Sequence, residues 1–332
     1  MNEPFAVLGG RVASDLRDVT DDPRCLDSQG FWVAVTTFEG GQLFARFGDV
    51  RPFDGWTPEP WHGPLRESWI SSMTRSEYVA AVVEIRSRIA VGDVYQANLC
   101  RVLSAPCHES SLAGLAERLA TGNPAPYSSF IQLPDHGVHI ACASPELFLH
   151  RQGRRVESKP IKGTARTADG LTDKDRAENV MIVDLVRNDL SRVAASGSVT
   201  VPTLCAVEQH PGLVHLVSTV AAELDEGMGW AELLEAASPP GSVSGAPKSS
   251  ALRIIGELEK VPRGPYCGGI GWVDADRQEG VLAVGIRTFW LADGQLHFGT
   301  GAGITWGSDP DREWDETELK AAHLLSLASV QS

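Results

Sequence analysis

Lys162 lies in the stretch SKPIKGTAR, residues 158–166, between an isoleucine and a glycine and just after a run that reads as a strand. A lysine there is either a strand-end surface charge or an amine placed to react. To act as a nucleophile it must be neutral, which desolvation and neighbouring cations favour by lowering its pKa. Two acidic pairs lie further on. Asp175 and Glu178 are three apart in DKDRAENVMIVDLVRNDL, and Glu313 and Glu316 are three apart in SDPDREWDETELKAA. That spacing puts each pair on one helix face. Together they could meet a hard cation such as magnesium, which takes oxygen ligands and needs only one or two direct carboxylates. Taken singly, they are acids near helix starts that favour the macrodipole, and Glu316 has an ordinary surface partner in Lys320 one turn on.

Several isolated groups carry the same two readings. Glu146, in ACASPELF, is a lone carboxylate after a small-residue strand. Arg287 interrupts VLAVGIRTFWL, where alternation sets Val281, Ala283, Gly285, Arg287 and Phe289 on one face. An arginine there is paired within the sheet or faces a cavity that takes a carboxylate. His215, in LVHLVST, reads on its own as a hydrogen-bonded core histidine. SPPGSVSGAPKSS puts Gly241 and Gly245 before a helix starting near Pro247 and Lys248. That is either a loop with its helix cap or a set of backbone N–H groups for an anion. GTGAGITWG has the wrong spacing for a dinucleotide fingerprint, but its glycines would let a small ligand approach the backbone.

The elements that must position these groups are legible in outline. Residues 1–70 are the least regular, with a hairpin expected to turn at Gly40 and Gly41 and a connection at WTPEPWHGPL. Thr74 and Glu77 form a capping box that opens a helix with the apolar stripe Tyr78, Val82, Ile85 and Ile89, and Gly92 ends it. Further helices are predicted over 112–119, 173–191, 230–237, 248–258 and, from Asp309 and Pro310, over 310–325. Strands are predicted at YSSFIQL, GVHIACASPELFLH, RRVESKPIKG, LVHLVSTVAAEL, CGGIGWV, VLAVGIRTFWL and QLHFGTGAGI. Hairpin-like strand pairs with interspersed helices predict an α+β, mainly antiparallel fold.

Composition narrows the class. The 332 residues are 42% hydrophobic and 22% charged, enough for a large core. The formal net charge of -14 points away from nucleic acid and requires any anionic substrate to meet a local basic cluster. No apolar run reaches bilayer length, so no membrane partner is expected. The N-terminus MNEPFAVLGGRVASD has no basic region followed by an apolar segment. The six cysteines are scattered without a Cys-x-x-Cys pair, which predicts reduced thiols in a cytoplasmic protein.

The ordered set GDVYQANL, SPELF, PIKGT, AENVMIVDLVRNDLSRV, VHLVST, GSVSGAPK, RGPYCGGIGW, IRT and GAGI…SDPDREWDET resembles the chorismate-utilising enzymes. These include anthranilate synthase component I, the isochorismate and salicylate synthases, and aminodeoxychorismate synthase component I. The resemblance runs from about residue 70 to the C-terminus, with residues 1–70 as a shortened N-terminal extension on the same fold and 71–332 as the chorismate-binding domain. Within the family it is similar to the aminodeoxychorismate branch, because anthranilate synthases usually have PIAGT where this chain has PIKGT. Gln96 in VYQANL stands where isochorismate and salicylate synthases usually carry a water-activating lysine, which argues against water as the final nucleophile.

The resemblance implies two large, mainly antiparallel sheets packed around a deep cleft. It implies magnesium bound by Glu178 and Glu316, with Asp175 and Glu313 supporting through water. It implies Tyr266, Arg287, Lys320 and the backbone of Gly301, Ala302 and Gly303 for the substrate carboxylates, and Gly163, Thr164, His215, Ser242 and Gln96 as pocket lining. Glu146 becomes the acid and Lys162 the nucleophile, attacking C2 of chorismate as the C4 hydroxyl leaves. Ammonia would come from a separate glutamine amidotransferase subunit, since no cysteine sits in a Gly-x-Cys-x-Gly setting. The alternatives are anthranilate synthase component I and a non-catalytic chorismate-binding relative.

Overall fold

The computed structural model describes residues 3–57, 60–165, 167–210 and 213–330. Its strands are β1 (Phe5–Leu8), β2 (Arg11–Thr20), β3 (Phe31–Thr36), β4 (Gln42–Pro52), β5 (Ile70–Ser71), β6 (Gln96–Pro106), β7 (Tyr127–Leu133), β8 (Val138–Ser144) and β9 (Leu147–Gln152). There follow β10 (Arg155–Lys159), β11 (Ile161–Ala165), β12 (Thr200–His210), β13 (Leu213–Glu223), β14 (Gly245–Ala246), β15 (Gly269–Asp274), β16 (Glu279–Val284), β17 (Thr288–Ala292) and β18 (Gln295–Ile304). The helices are α1 (Arg75–Ala90), α2 (Ala113–Gly122), α3 (Asp173–Ser191), α4 (Trp230–Ala237), α5 (Lys248–Leu258) and α6 (Pro310–Ala328).

The strands form an antiparallel ladder. One half runs β6, β18, β17, β8, β7, β1, and the other runs β2, β4, β3, β15, β16, β9, β10, β13, β12. The β1–β2 hairpin carries the hydrogen bonding from one half to the other. Ala6, Ile131 and Ile140 of the first half pack against Val33, Val35 and Ile270 of the second, so the halves stack face to face around a shared core. The expected α+β architecture of large antiparallel sheets with outer helices is thus what the chain adopts, and β1 to β4 of the first seventy residues are part of the ladder. Among the described residues no helix is long and apolar enough to cross a membrane. All six cysteines are free thiols.

The helix starts follow the local chemistry. Glu77 N donates to Thr74 Oγ1 at 3.3 Å while Thr74 N donates to Glu77 Oε2 at 2.8 Å, the reciprocal cap expected of α1. Asp309 accepts from Arg312 N at 3.0 Å, with Pro310 opening α6. Helices α3, α4 and α5 keep their predicted bounds. Helix α6 runs on past residue 325 to Ala328, because Ala328 is fully buried and its carbonyl accepts from Trp61 Nε1 at 2.8 Å.

Three expected strands are each broken in two, and two of them change halves of the ladder at the break. GVHIACASPELFLH splits at Pro145 and Glu146 into β8 and β9, and VLAVGIRTFWL splits before Thr288 into β16 and β17. In both, the chain leaves one half of the ladder and joins the other: β8 and β17 pair together in the first half, β9 and β16 in the second. Pro145 has no N–H for a ladder, and Arg287 adopts a left-handed φ of 54° that ends the pleat. The alternation that would put Arg287 on the face of Val281 and Ala283 therefore does not extend to it. The two breaks face each other. Val284 N donates to Glu146 O at 3.0 Å and Ala143 N to Arg287 O at 3.1 Å. Glu146 and Arg287 thus mark the points where the two halves exchange strands. RRVESKPIKG breaks likewise at Pro160, between β10 and β11.

Helix α3 lies on β11 and β13 and is pinned there by Asn179, which is fully buried. Its Nδ2 donates to Leu216 O at 3.2 Å, and Ser218 Oγ donates to its Oδ1. Replacing Asn179 by Ala removes the donor to Leu216 O and the acceptor of the Ser218 hydroxyl, which keeps only its bond from Cys205 N at 2.8 Å. We expect a loss of about 1–3 kcal/mol in urea unfolding; a loss near zero would show that apolar packing alone docks α3.

Candidate active site

Lys162 and Glu146 come together on one turn of backbone. Lys162 sits in β11, paired with Leu216 of β13, and the register slips between Lys162 and Thr164. The slip centres on Gly163 at a φ of 79°, where a Cβ would come within 2.7 Å of Asp175 Cβ. A bulge of this kind bends the strand and re-aims its side chains. The half-buried Lys162 donates from Nζ to Ser242 O at 2.9 Å. Ser242 belongs to the short helical turn Gly241–Val243, and its side chain also hydrogen-bonds the Glu146 carboxyl. One serine therefore touches both groups, its carbonyl at the amine and its hydroxyl at the acid.

Burial sets the charge of both. Glu146 is 4% exposed, and desolvation pushes its carboxyl up to about 7 against the opposing pull of Ser242, the Lys162 charge and the Ile161 backbone. Desolvation also brings the Lys162 amine down, with Lys320 adding to the drop and the acids Glu178, Glu146 and Glu316 resisting it. The carboxyl thus holds its proton up to about 7, and the same burial biases the amine toward its neutral form.

The acidic pairs converge from α3 and α6. The Glu178 side chain is 17% exposed, and desolvation raises its pKa while Lys162 and Lys174 oppose the rise. Glu313 is buried and raised for the same reason, held down by its bond to Ser308. The Lys174 ammonium stands between them, 3.6 Å from Glu178 Oε1 and 3.9 Å from Glu313 Oε1. Glu316 acts electrostatically on both acids and pairs with Lys320 at 2.6 Å. Among the described residues no three acidic, imidazole or thiol groups already close on one point. The donor set nevertheless fits magnesium in kind: carboxylate oxygens from two helices, with a lysine cation already standing between two of them. Asp175 is turned partly to another task, its Oδ2 accepting from Thr172 N at 2.8 Å and Thr172 Oγ1 at 2.6 Å in the α3 cap.

The remaining expected residues fall as follows. Arg287 is half-buried, has no carboxylate partner among the described residues, and has its pKa lowered by burial. A desolvated cation without a counter-ion suits an anionic ligand. Lys320 Nζ donates to Gly301 O at 3.0 Å, which ties α6 to β18. Gly303 faces Gln96, since a Cβ there would come within 2.4 Å of Gln96 Nε2. Ala302 turns its methyl into the core under α1, leaving only its backbone to a ligand. Tyr266 is buried with its hydroxyl 3.8 Å from Cys100 Sγ. His215 is buried on β13 opposite the backbone of Thr164, whose side chain lies outside the described residues.

Sequence reasoning passed over two participants and one role. Lys174 carried a signal, four residues before Glu178 on the same helix face. Asn98 carried one too, two residues after Gln96 on the same strand face; its Oδ1, like Gln96 Oε1, is buried without a partner. The double duty of Ser242 had no local signal, because its partners come from β11 and from the β8–β9 break.

Residues 57–326 match the family described as chorismate binding enzyme. The chain belongs to that family. It is 40% identical over 273 residues to aminodeoxychorismate synthase component 1 of Salmonella typhimurium, covering 79% of this chain and 59% of the relative. It is also 40% identical over 288 residues to anthranilate synthase component 1 of Streptomyces coelicolor, covering 83% and 55%. The chain thus spans under two thirds of the length of these relatives. Its fold is shared with anthranilate synthase component I of Streptococcus pneumoniae, at a TM-score of 0.76 and 24% identity over 90% of this chain and 81% of that one. It is also shared with the menaquinone-specific isochorismate synthase of Escherichia coli, at 0.80 and 17% over 99% and 89%.

The raised Glu146 pKa has a consequence for stability. The folded state holds this proton up to about 7, while an unfolded glutamate releases it near 4.5. Stability tied to this group is therefore full below the unfolded value and is lost as pH rises through 7. Glu146→Gln, which mimics the neutral acid, is expected to unfold at higher temperature than the wild type at pH 8, by an amount on the order of 3 kcal/mol, with the gap closing near pH 4. Thermal unfolding across that range checks it; a constant gap would mean that Glu146 is ionised in the fold.

Proposed function

We propose that this chain aminates chorismate at C4, giving 4-amino-4-deoxychorismate, through a covalent adduct of Lys162 at C2. The observation that carries this reading is the placement of a desolvated lysine and a desolvated glutamic acid on the two sides of Ser242. An amine held neutral is a nucleophile, and a carboxyl held protonated is a general acid. Chorismate itself is proposed from the family to which the chain belongs.

Chorismate is a dianion, and Arg287 and Lys320 supply positive charge beside the cleft of this acidic protein. When bound, magnesium at Glu178 and Glu316, with Asp175 and Glu313 behind them, would hold the ring carboxylate and draw charge from the ring. Attack of the Lys162 nitrogen on C2 shifts both ring double bonds toward C4 and breaks the C4–O bond. Glu146 gives the departing hydroxyl its proton, so that water leaves. Ammonia then adds at C4, the double bonds return, and the C2–N bond breaks to release Lys162. The Glu146 carboxylate takes the surplus proton from the new amine, which restores the acid. Gln96, whose amide is not basic, leaves water unactivated. The ammonia is proposed to come from a separate glutamine amidotransferase subunit, in the cytoplasm.

The equal identity to a curated anthranilate synthase component keeps a second reading in view: amination at C2 followed by pyruvate loss. Product analysis separates them. Chorismate, magnesium and ammonia should give 4-amino-4-deoxychorismate by mass spectrometry; anthranilate or isochorismate as the main product would overturn the assignment. Lys162→Ala should abolish amination while preserving the fold, and Glu146→Gln should lower kcat about 10²–10⁴-fold. Undiminished turnover in the first would remove the adduct. Glu178→Gln and Glu316→Gln should each weaken magnesium binding in calorimetry; unaltered titrations would exclude them as ligands.

A further inference from the structure

Arg263 lies in the run RGPYCGGIGW, and the chemistry above gives it no role. Its side chain is 1% exposed and uses the whole guanidinium fork. Nε and Nη2 donate to Glu259 Oε2 and Oε1 at 2.8 and 2.6 Å. Nη1 donates to Val243 O and Nη2 to Asn98 O, both at 2.8 Å. The ring of Phe38 lies 3.9 Å from the guanidinium carbon, and Glu259 Oε1 also accepts from Cys100 N at 2.8 Å. One cation therefore joins the end of α5, strand β6 and the turn Gly241–Val243.

Stability alone does not call for such a group, since a buried ion pair is on balance replaceable by apolar packing. What the fork does that apolar packing cannot is fix a carbonyl in direction. Val243 is next to Ser242, and the turn has no side-chain cap of its own. Backbone bonds from Val243 N to Pro240 O at 3.2 Å, Ser244 N to Gly241 O at 3.3 Å and Asn98 N to Ser244 O at 2.8 Å shape the turn, as do those of Ser244 Oγ to Pro240 O and Gly241 O; the Val243 carbonyl itself is directed by Arg263.

We propose that Arg263 is the positioning residue of the acid–amine pair: by holding the Val243 carbonyl it orients Ser242, and through Ser242 it aligns Lys162 with Glu146. This deepens the amination reading and rests on it only in treating those two groups as the reacting ones. Two other sets of ionisable groups face Glu146. Lys162 comes from β11, and Asp189 of α3 lines a small cavity behind the acid, paired with Lys248 at 2.7 Å. A change at Arg263 touches neither directly.

Arg263→Lys keeps the positive charge against Glu259 but replaces the fork by a single nitrogen, which cannot span all three partners. Expected in this variant is a fall in kcat of about tenfold or more, with the KM for chorismate within about threefold of wild type. The Glu146 carboxyl, followed by ¹³C NMR without substrate and assigned with Glu146→Gln, should titrate about one pH unit higher, because its bond from Ser242 is weakened. If Arg263→Lys folds poorly, Glu259→Gln/Arg263→Met removes the fork without leaving a buried charge unpaired, and the same shift is expected. An unchanged midpoint in the folded variant overturns the proposal, whatever kcat does. Absence of product from the wild type would instead count against the amination reading, while the carboxyl midpoint would still decide the role of Arg263.

Discussion

The site depends on one constraint: an amine and a carboxylic acid must share a dry corner without locking into an ion pair. Desolvation penalises both charges, so it favours the neutral amine and the protonated acid at the same time. Ser242 keeps them apart and in register, offering a carbonyl to Lys162 Nζ and a hydroxyl to Glu146. Neither partner carries a full charge, so the arrangement gives both groups direction without a counter-ion that would fix either in its ionised form.

The ladder explains why this corner lies where it does. Two strand pairs change partners at the same level, and the residues at the breaks are Glu146 and Arg287. Backbone bonds tie each break to the opposite strand, so the two side chains are held by a rigid frame and not by free loops. A sheet that passes between its halves must interrupt its pleat, and the residues freed from the pleat are the ones that can face a cleft. Proline before Glu146 and a left-handed φ at Arg287 are the local means of making those interruptions.

The outer helices supply the opposite charge. Helix α3 brings Lys174 and Glu178, and α6 brings Glu313, Glu316 and Lys320. Glu178 and Glu313 are raised by burial and share the Lys174 ammonium, while Glu316 pairs with Lys320. Identity to the aminodeoxychorismate synthase and anthranilate synthase relatives is the same at 40%, so overall similarity does not separate the two.

Much of this is legible in the order and spacing of the residues. Helices α3, α4 and α5 are bounded by their apolar periods, and α3 also by its Thr172 cap, because those signals act over a few neighbouring residues. The motif order points to the family, and Lys162, Glu146 and the acidic pairs stand out by type and spacing. The strand breaks are not legible: an apolar run reads as one strand whether or not it changes partners, since the partner is distant in sequence. The same holds for Ser242, whose role exists only because β11 and the β8–β9 break meet its turn, and for Arg263, whose four acceptors come from three separate segments. The sequence by itself determined which chemical groups are present and which local elements carry them. Only the tertiary structure decided which groups are dry and which face each other, because desolvation and long-range hydrogen bonds are properties of the packed chain.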